Sequence, residues 1–259
     1  MNKVVVITGV SSGIGLQLAK KFIENGDKVY GLSRHEFELE GLNHIVCDVS
    51  FSDECRNAIE KVVELEGKID LLINNAGMGI AGSVENTSEA DARRIFDVNF
   101  FGTFYMCKHA LKYLRESKGR IINISSVASK LSIPYQAFYS ASKASIDAIS
   151  AGIRAEAKQF GVKVITILPG DTKTGFTAAR VKHNDGVYDK NFKKSIERME
   201  KDEQNGMSSE YVAKIIFKAA NKKHPPIYKT VGVQYKIFLC LAKILPARFV
   251  EWIVAKLYS

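Results

Sequence analysis

The amino-acid sequence predicts a three-layer α/β/α fold, a doubly wound parallel sheet with helices on both faces. Three observations carry this. Short runs rich in Val and Ile alternate with amphipathic stretches of helical length along most of the chain. The runs are almost wholly apolar instead of alternating, as strands covered on both sides must be. Glycine-containing turns follow several of them, at Gly9, Gly77 and Gly170. With 259 residues and 46% hydrophobic content, residues 1–259 are long enough for a single α/β domain with a sizeable core.

The elements follow in order. Residues 3–8 form the first strand. Ile14, Leu18, Phe22 and Ile23 mark a helix over 13–25, which Gly26 ends. A second strand covers 28–33, and Ile45-Val46-Cys47 reads as a third. A helix over 52–66 leads to a fourth strand at 69–73. A long helix over 89–116 surrounds Asn99, and a fifth strand spans 119–125. A helix over 136–160 and a sixth strand over 162–168 end at Pro169-Gly170. Residues 175–208 are polar and weakly periodic, and are expected to be a flexible substrate-binding loop or lid with helical turns. An amphipathic helix returns at 209–221, and 233–259 is an apolar C-terminal extension interrupted by charges.

Composition narrows the function. The net charge is +9, but the lysines are dispersed and no basic stripe is interleaved with aromatics, so no nucleic-acid partner is expected. Cys47, Cys55, Cys107 and Cys240 lack metal-type spacing; they read as free thiols in a reducing compartment, and no metal is expected. Neither a leader pattern nor a run of 18 apolar residues is visible, so the expected location is the cytoplasm.

The loop Thr8-Gly9-Val10-Ser11-Ser12-Gly13-Ile14-Gly15 joins the first strand to the first helix. Glycine lets backbone approach a pyrophosphate, and the helix start offers free N–H groups and a positive dipole end. A Rossmann-type dinucleotide site is the reading this placement supports. Arg34 follows the second strand where an NAD site tends to carry an acid; a guanidinium there pairs with the 2′-phosphate of NADP(H). Asp48, with Val49 beside it, suits the adenine end. Asn74-Asn75-Ala76-Gly77 closes the fourth strand, where Asn side chains tie strand ends together or contact ribose.

Tyr139 and Lys143 stand at i and i+4 on one helix face. A tyrosine has an ordinary pKa near ~10. An ammonium beside it favours the phenolate, which readies it for proton transfer. The hydroxyl of Ser125 or Ser126, at the end of the fifth strand, can hold a substrate oxygen or simply cap a turn. Asn99 is a poor mid-helix residue, so it anchors either a water or a backbone kink.

Taken in order, Thr8-Gly9-x-x-x-Gly13-Ile14-Gly15, Asp48, Asn74-Asn75-Ala76-Gly77, Asn99, Ser126, Tyr139-x-x-x-Lys143 and Pro169-Gly170 with Thr174 resemble the short-chain dehydrogenase/reductase family over residues 3–174. The resemblance implies an NADP(H)-dependent oxidoreductase that interconverts a carbonyl and an alcohol. It implies that Tyr139 is the general acid/base, that Ser126 polarises the substrate oxygen and that Lys143 holds the nicotinamide ribose. Asn99 would support a water, Pro169, Gly170, Thr172 and Thr174 would border the nicotinamide and pyrophosphate, and the chain would form a homodimer or homotetramer. The alternative is a nucleotide-binding regulatory protein of the same fold without turnover; the intact Ser126, Tyr139 and Lys143 argue against it.

The apolar tail, including Phe238, Phe249, Trp252 and Leu257, points to an apolar substrate such as a steroid-, lipid- or retinoid-like ketone or aldehyde. It resembles the steroid and retinoid branches of the family. Three roles for the tail stay open: a wall of the substrate cleft, an internal or subunit contact, and peripheral contact with a membrane surface.

Overall fold

In the computed structural model, residues 2–183 and 186–258 are described. Met1, Ser259, and Asn184 and Asp185 within the expected substrate segment lie outside them. The order is β1 (Val4–Thr8), α1 (Gly13–Glu24), β2 (Lys28–Ser33), β3 (Leu42–Val46), α2 (Ser52–Glu66), β4 (Leu71–Asn74), β5 (Ile80–Ala81) and α3 (Glu89–Phe96). There follow a π-helical turn (Asp97–Phe101), α4 (Gly102–Glu116), β6 (Arg120–Ile124), α5 (Ala137–Ala157), β7 (Lys163–Pro169), β8 (Thr172–Lys173) and β9 (Val181–Lys182). The chain continues through α6 (Asp189–Gln204), β10 (Met207–Ser208), α7 (Ser209–Asn221), β11 (Tyr228–Val231), α8 (Val233–Ala242) and α9 (Ala247–Tyr258).

Seven strands pair in parallel in the order β11-β7-β6-β4-β1-β2-β3. Alternate residues of each strand serve opposite faces. Val4 and Val6 of β1 pack with Ile59 of α2, Met106 of α4 and Ile153 of α5. Val5 and Ile7 pack with Leu18 and Phe22 of α1 and Ile216 of α7. Both faces of β1 are dry, which explains its unbroken apolar sequence. The chain winds outward from β1 to β3, then returns to β4 on the other side of β1. This reversal leaves a crevice at the C-terminal ends of β1 and β4, where sheets of this type bind ligands.

Three departures from the sequence reading matter for the site. The predicted helix over 89–116 is interrupted at Asn99 by the π turn, a departure in keeping with a backbone kink there. Residues 189–204 form a regular helix instead of loose turns. Phe192, Ser195, Ile196 and Met199 recur at i, i+3, i+4 and i+7 and are buried, but a serine within the stripe and many surrounding charges hid the period. The seventh strand, β11, was not anticipated: at four residues, with Lys229 inside and Pro225-Pro226 shortly before, it lacks an apolar run, and it pairs only with β7 at the sheet edge.

Candidate active site

The glycine loop is built by close approach. Gly9 and Gly13 have φ of +71° and +56°, a region that favours glycine. A Cβ on Gly15 would lie 2.2 Å from the Gly9 carbonyl oxygen and 2.5 Å from the Asn75 amide nitrogen. Gly15 is therefore a packing residue; the other loop residues proposed for the cofactor, Gly9, Ser11, Ser12, Gly13 and Ile14, line a cavity of about 650 Å³. The Thr8 hydroxyl accepts from the backbone N–H of Asn75 at 3.0 Å and of Ala76 at 2.9 Å. The Asn75 side chain donates to the carbonyls of Thr8 and Gly9 at 3.0 and 3.1 Å. These bonds lock the ends of β1 and β4 together. Thr8, quoted only as part of a motif, is thus a positioning residue.

Arg34, Asp48, Val49, Asn75, Ala76, Gly77, Pro169, Gly170, Thr172 and Thr174 line the same cavity. Ser50 donates to one oxygen of Asp48 from both its backbone and its hydroxyl, at 3.0 and 2.7 Å, fixing the carboxylate. The α1 terminus suits an anion. Ser12 stands at the N-cap without a side-chain capping bond, and no acidic residue occupies the first turn, so the first N–H groups stay available.

Ser126, Tyr139 and Lys143 converge on the cavity. Ser126 caps a short 3₁₀ turn, accepting from the Ala128 N–H at 3.1 Å, and also hydrogen-bonds the Tyr139 phenol. The capping reading of this serine holds. Ser125 also borders the cavity, but its buried hydroxyl donates to the Lys143 carbonyl at 3.0 Å, tying β6 to α5. The Lys143 ammonium donates to the Ile124 carbonyl at 3.0 Å.

Asn99 does not line the cavity. It is fully buried, accepts from the Met78 N–H at 2.8 Å, and donates to the Met78 carbonyl at 3.0 Å and the Ser142 hydroxyl at 2.9 Å. Ser142 in turn donates to the Tyr139 carbonyl at 2.8 Å. Both side-chain N–H groups of Asn99 are spent, and it holds the loop after β4 against α5.

Electrostatics differ from the simple expectation that Lys143 lowers the Tyr139 pKa. Burial raises the Tyr139 phenol to about 12, against smaller downward pulls from Ser126 and Arg180, while Glu203 and Asp171 push it further up. Burial lowers Lys143 to about 8. Its ammonium lies 5.8 Å from the Tyr139 ring centroid and engages the Ile124 carbonyl, so it does not offset the phenol's desolvation.

The rest of the cavity wall comes from residues that no motif marks. Leu131, Ile133, Gln136, Phe176, Met199, Glu203, Tyr235, Phe238, Val254 and Leu257 complete the wall. The Phe176 ring packs on Tyr139 with centroids 5.6 Å apart. Tyr235 lies over Gly170, where a Cβ would come within 2.1 Å of its ring, and its hydroxyl donates to Asp171. Arg180 is buried, stands over Phe176 and pairs with Glu203, which also accepts from Thr177. One Arg180 nitrogen has no other partner. Glu203→Ala should therefore strand a buried cation and lower stability by about 3 kcal/mol, the low end for breaking a buried pair, because Glu203 also borders the cavity. Urea denaturation checks this; a loss under about 1 kcal/mol would show that solvent already screens the pair. In sequence, Arg180 and Glu203 give no signal beyond two charges far apart.

The sequence profile described as "short chain dehydrogenase" matches residues 3–185, and the strand order, glycine loop and Tyr-x-x-x-Lys placement agree with it. The chain belongs to the short-chain dehydrogenase family. It is an oxidoreductase of a family that binds nicotinamide cofactors. Among similar proteins is 3-ketodihydrosphingosine reductase of Bacteroides thetaiotaomicron, 37% identical over 264 residues, covering 99% of this chain and 98% of the other. Another is the probable short-chain type dehydrogenase/reductase VdlC of Helicobacter pylori, 34% identical over 95% of this chain and 94% of the other. A short-chain dehydrogenase structure from Streptomyces avermitilis superposes with a TM-score of 0.86 at 27% identity, covering 97% of this chain and 96% of that one.

Proposed function

We propose that this short-chain dehydrogenase is an NADP(H)-dependent reductase of the carbonyl group of a long apolar, lipid-like molecule, working reversibly on the corresponding alcohol. The observation that carries the reading is the shape of the cavity. Its glycine-loop end is polar and ends at Arg34; beyond Tyr139 it is walled by Leu131, Ile133, Phe176, Met199, Phe238, Val254 and Leu257. Such walls suit an alkyl chain. Likeness to 3-ketodihydrosphingosine reductase along nearly the whole chain supports a ketone of that kind.

When bound, the nicotinamide cofactor supplies the hydride to the carbonyl carbon. The protein handles the proton. With its phenol raised to about 12, Tyr139 carries a proton throughout the physiological range and is ready to give it to the carbonyl oxygen; in the reverse direction the phenolate takes the alcohol proton. The Ser126 hydroxyl donates to the same oxygen and stabilises charge developing there. Ser11, Ser12 and the first turn of α1 would hold the pyrophosphate, Asp48 and Val49 the adenine end, and Lys143, Asn75 and Thr174 the nicotinamide end.

Arg34 is exposed and lines the cavity beside Ser33, which supports pairing of its guanidinium with a 2′-phosphate. Arg34→Glu should weaken NADPH binding by about 10- to 100-fold, the range of a lost charge-assisted pair plus repulsion, and leave NADH binding within a few-fold. Isothermal titration with each cofactor measures this; equal losses for both would assign Arg34 no role in discrimination. The reading as a whole is tested by NADPH consumption with 3-ketodihydrosphingosine and shorter ketones. Rate should rise with chain length, and binding of NADPH without turnover on any ketone or aldehyde would favour the regulatory alternative.

A further inference from the structure

The helices that close the substrate end carry a second apolar surface. On α8, Tyr235 and Phe238 turn inward to the cavity. Val233, Ile237 and Leu241, spaced by four, and Ile244, three beyond, lie on the other side and are exposed, Ile244 by 78%. On α9, Val250 and Val254 are buried, whereas Phe249 and Trp252 are exposed, Trp252 by 55%, with their rings stacked at 5.8 Å. Six large apolar side chains are thus exposed within residues 233–252. Lys236, Lys243, Arg248 and Lys256 are exposed around it, and Glu251 is the only acid between 233 and 258. The Lys256 ammonium sits 5.1 Å from the Trp252 ring.

We propose that the exposed outer faces of α8 and α9 seat on an anionic lipid bilayer, with the cavity that the same helices wall drawing its apolar ligand from that membrane. The charge pattern selects this occupant. A second copy meeting this surface across a two-fold axis would bring the basic rim against itself. Lipid phosphates neutralise that rim, the lysine stems lie along the apolar surface, and the aromatic pair enters the headgroup layer. The helices lie on the membrane instead of crossing it: among the described residues no helix is long and apolar enough to span. The ligand route rests on the apolar-substrate reading above; the seating does not.

Trp252 is the only tryptophan in the chain, so it reports directly on its surroundings. The full chain, without substrate, is mixed with phosphatidylcholine vesicles containing or lacking phosphatidylglycerol. The expected result is co-sedimentation and a blue shift of Trp252 emission with the anionic vesicles, lost at high salt. Lys243→Gln/Arg248→Gln should weaken partitioning roughly 25-fold, about fivefold per basic residue near the surface. Ile244→Asp should weaken it about tenfold or more. Both variants alter exposed residues off the cavity wall and should keep NADPH affinity, which shows that they are folded. The proposal is overturned by unchanged emission and no sedimentation, by equal binding to neutral and anionic vesicles, or by a blue shift that tracks protein concentration without lipid and disappears in Ile244→Asp. Vesicle binding that persists while every apolar ketone fails as substrate would sink the substrate reading and leave the seating standing.

Discussion

Tyr139→Phe should lower kcat by about 10²- to 10⁴-fold while leaving NADPH affinity within a few-fold of the unaltered enzyme. The substitution removes one oxygen and keeps the ring, so its packing against Phe176 at 5.6 Å survives. What is lost is the phenol that hydrogen-bonds Ser126 at the cavity wall. With the proton donor gone, the oxygen of the substrate must take its proton from water or from Ser126, whose hydroxyl is far weaker as an acid. Single-turnover kinetics with saturating NADPH separates the two steps. A loss smaller than tenfold would mean that Tyr139 is not the general acid.

Lys143→Met should abolish most activity, by about 10²-fold or more, and yet stabilise the cofactor-free protein at neutral pH. Lys143 is buried and its pKa falls from 10.5 to about 8, with burial as the leading cause and Asp147 opposing it. In the unfolded chain the amine keeps its proton up to about 10.5; in the folded protein it releases it near 8. Between those values the unfolded state binds more protons, so stability rises with pH there, and below about 8 the full penalty applies. The shift corresponds to about 3 kcal/mol. Losing the bond to the Ile124 carbonyl gives back about 1 kcal/mol. The net gain of about 2 kcal/mol near pH 7 should raise Tm by about 4–8 °C and should vanish as pH approaches 10.5. Thermal melts of both proteins at neutral and alkaline pH check the sign. A Met variant less stable at pH 7 would show that Lys143 is held without strain. A more stable Met variant with lost activity would show that the buried lysine serves the reaction at a cost the fold bears.

Lys143 and Tyr139 illustrate how far the chain could be read before folding. Their spacing on one helix face, the turn from Thr8 to Gly15, and the Asn-Asn-Ala-Gly close of the fourth strand are local: consecutive residues specify consecutive geometry. So are the strands of the sheet interior, whose apolar runs follow from being covered on both sides. Each of the loop and strand-end residues proposed for the cofactor, apart from the packing glycine Gly15, lines one cavity because strand ends in a parallel sheet all point the same way. The commitment of Asn99 was half visible. Its unsuitability for a helix interior signalled a kink, but only the packing of α5 against the loop after β4 reveals that Ser142 and Met78 consume its amide.

Other properties had no local signature. The upward direction of the Tyr139 shift is set by burial, with smaller and opposing pulls from charges as distant in sequence as Arg180, Glu203 and Asp171. The edge strand β11 exists because β7 offers it backbone partners, not because its own residues demand a strand. The apolar cavity wall is assembled from segments near 131, 176, 199, 235 and 254, brought together by the packing of α6, α8 and α9 around the ends of the sheet. Residue type and spacing declare chemistry wherever one turn of chain builds it; a cavity wall is a long-range juxtaposition, and its shape is decided only when the helices dock.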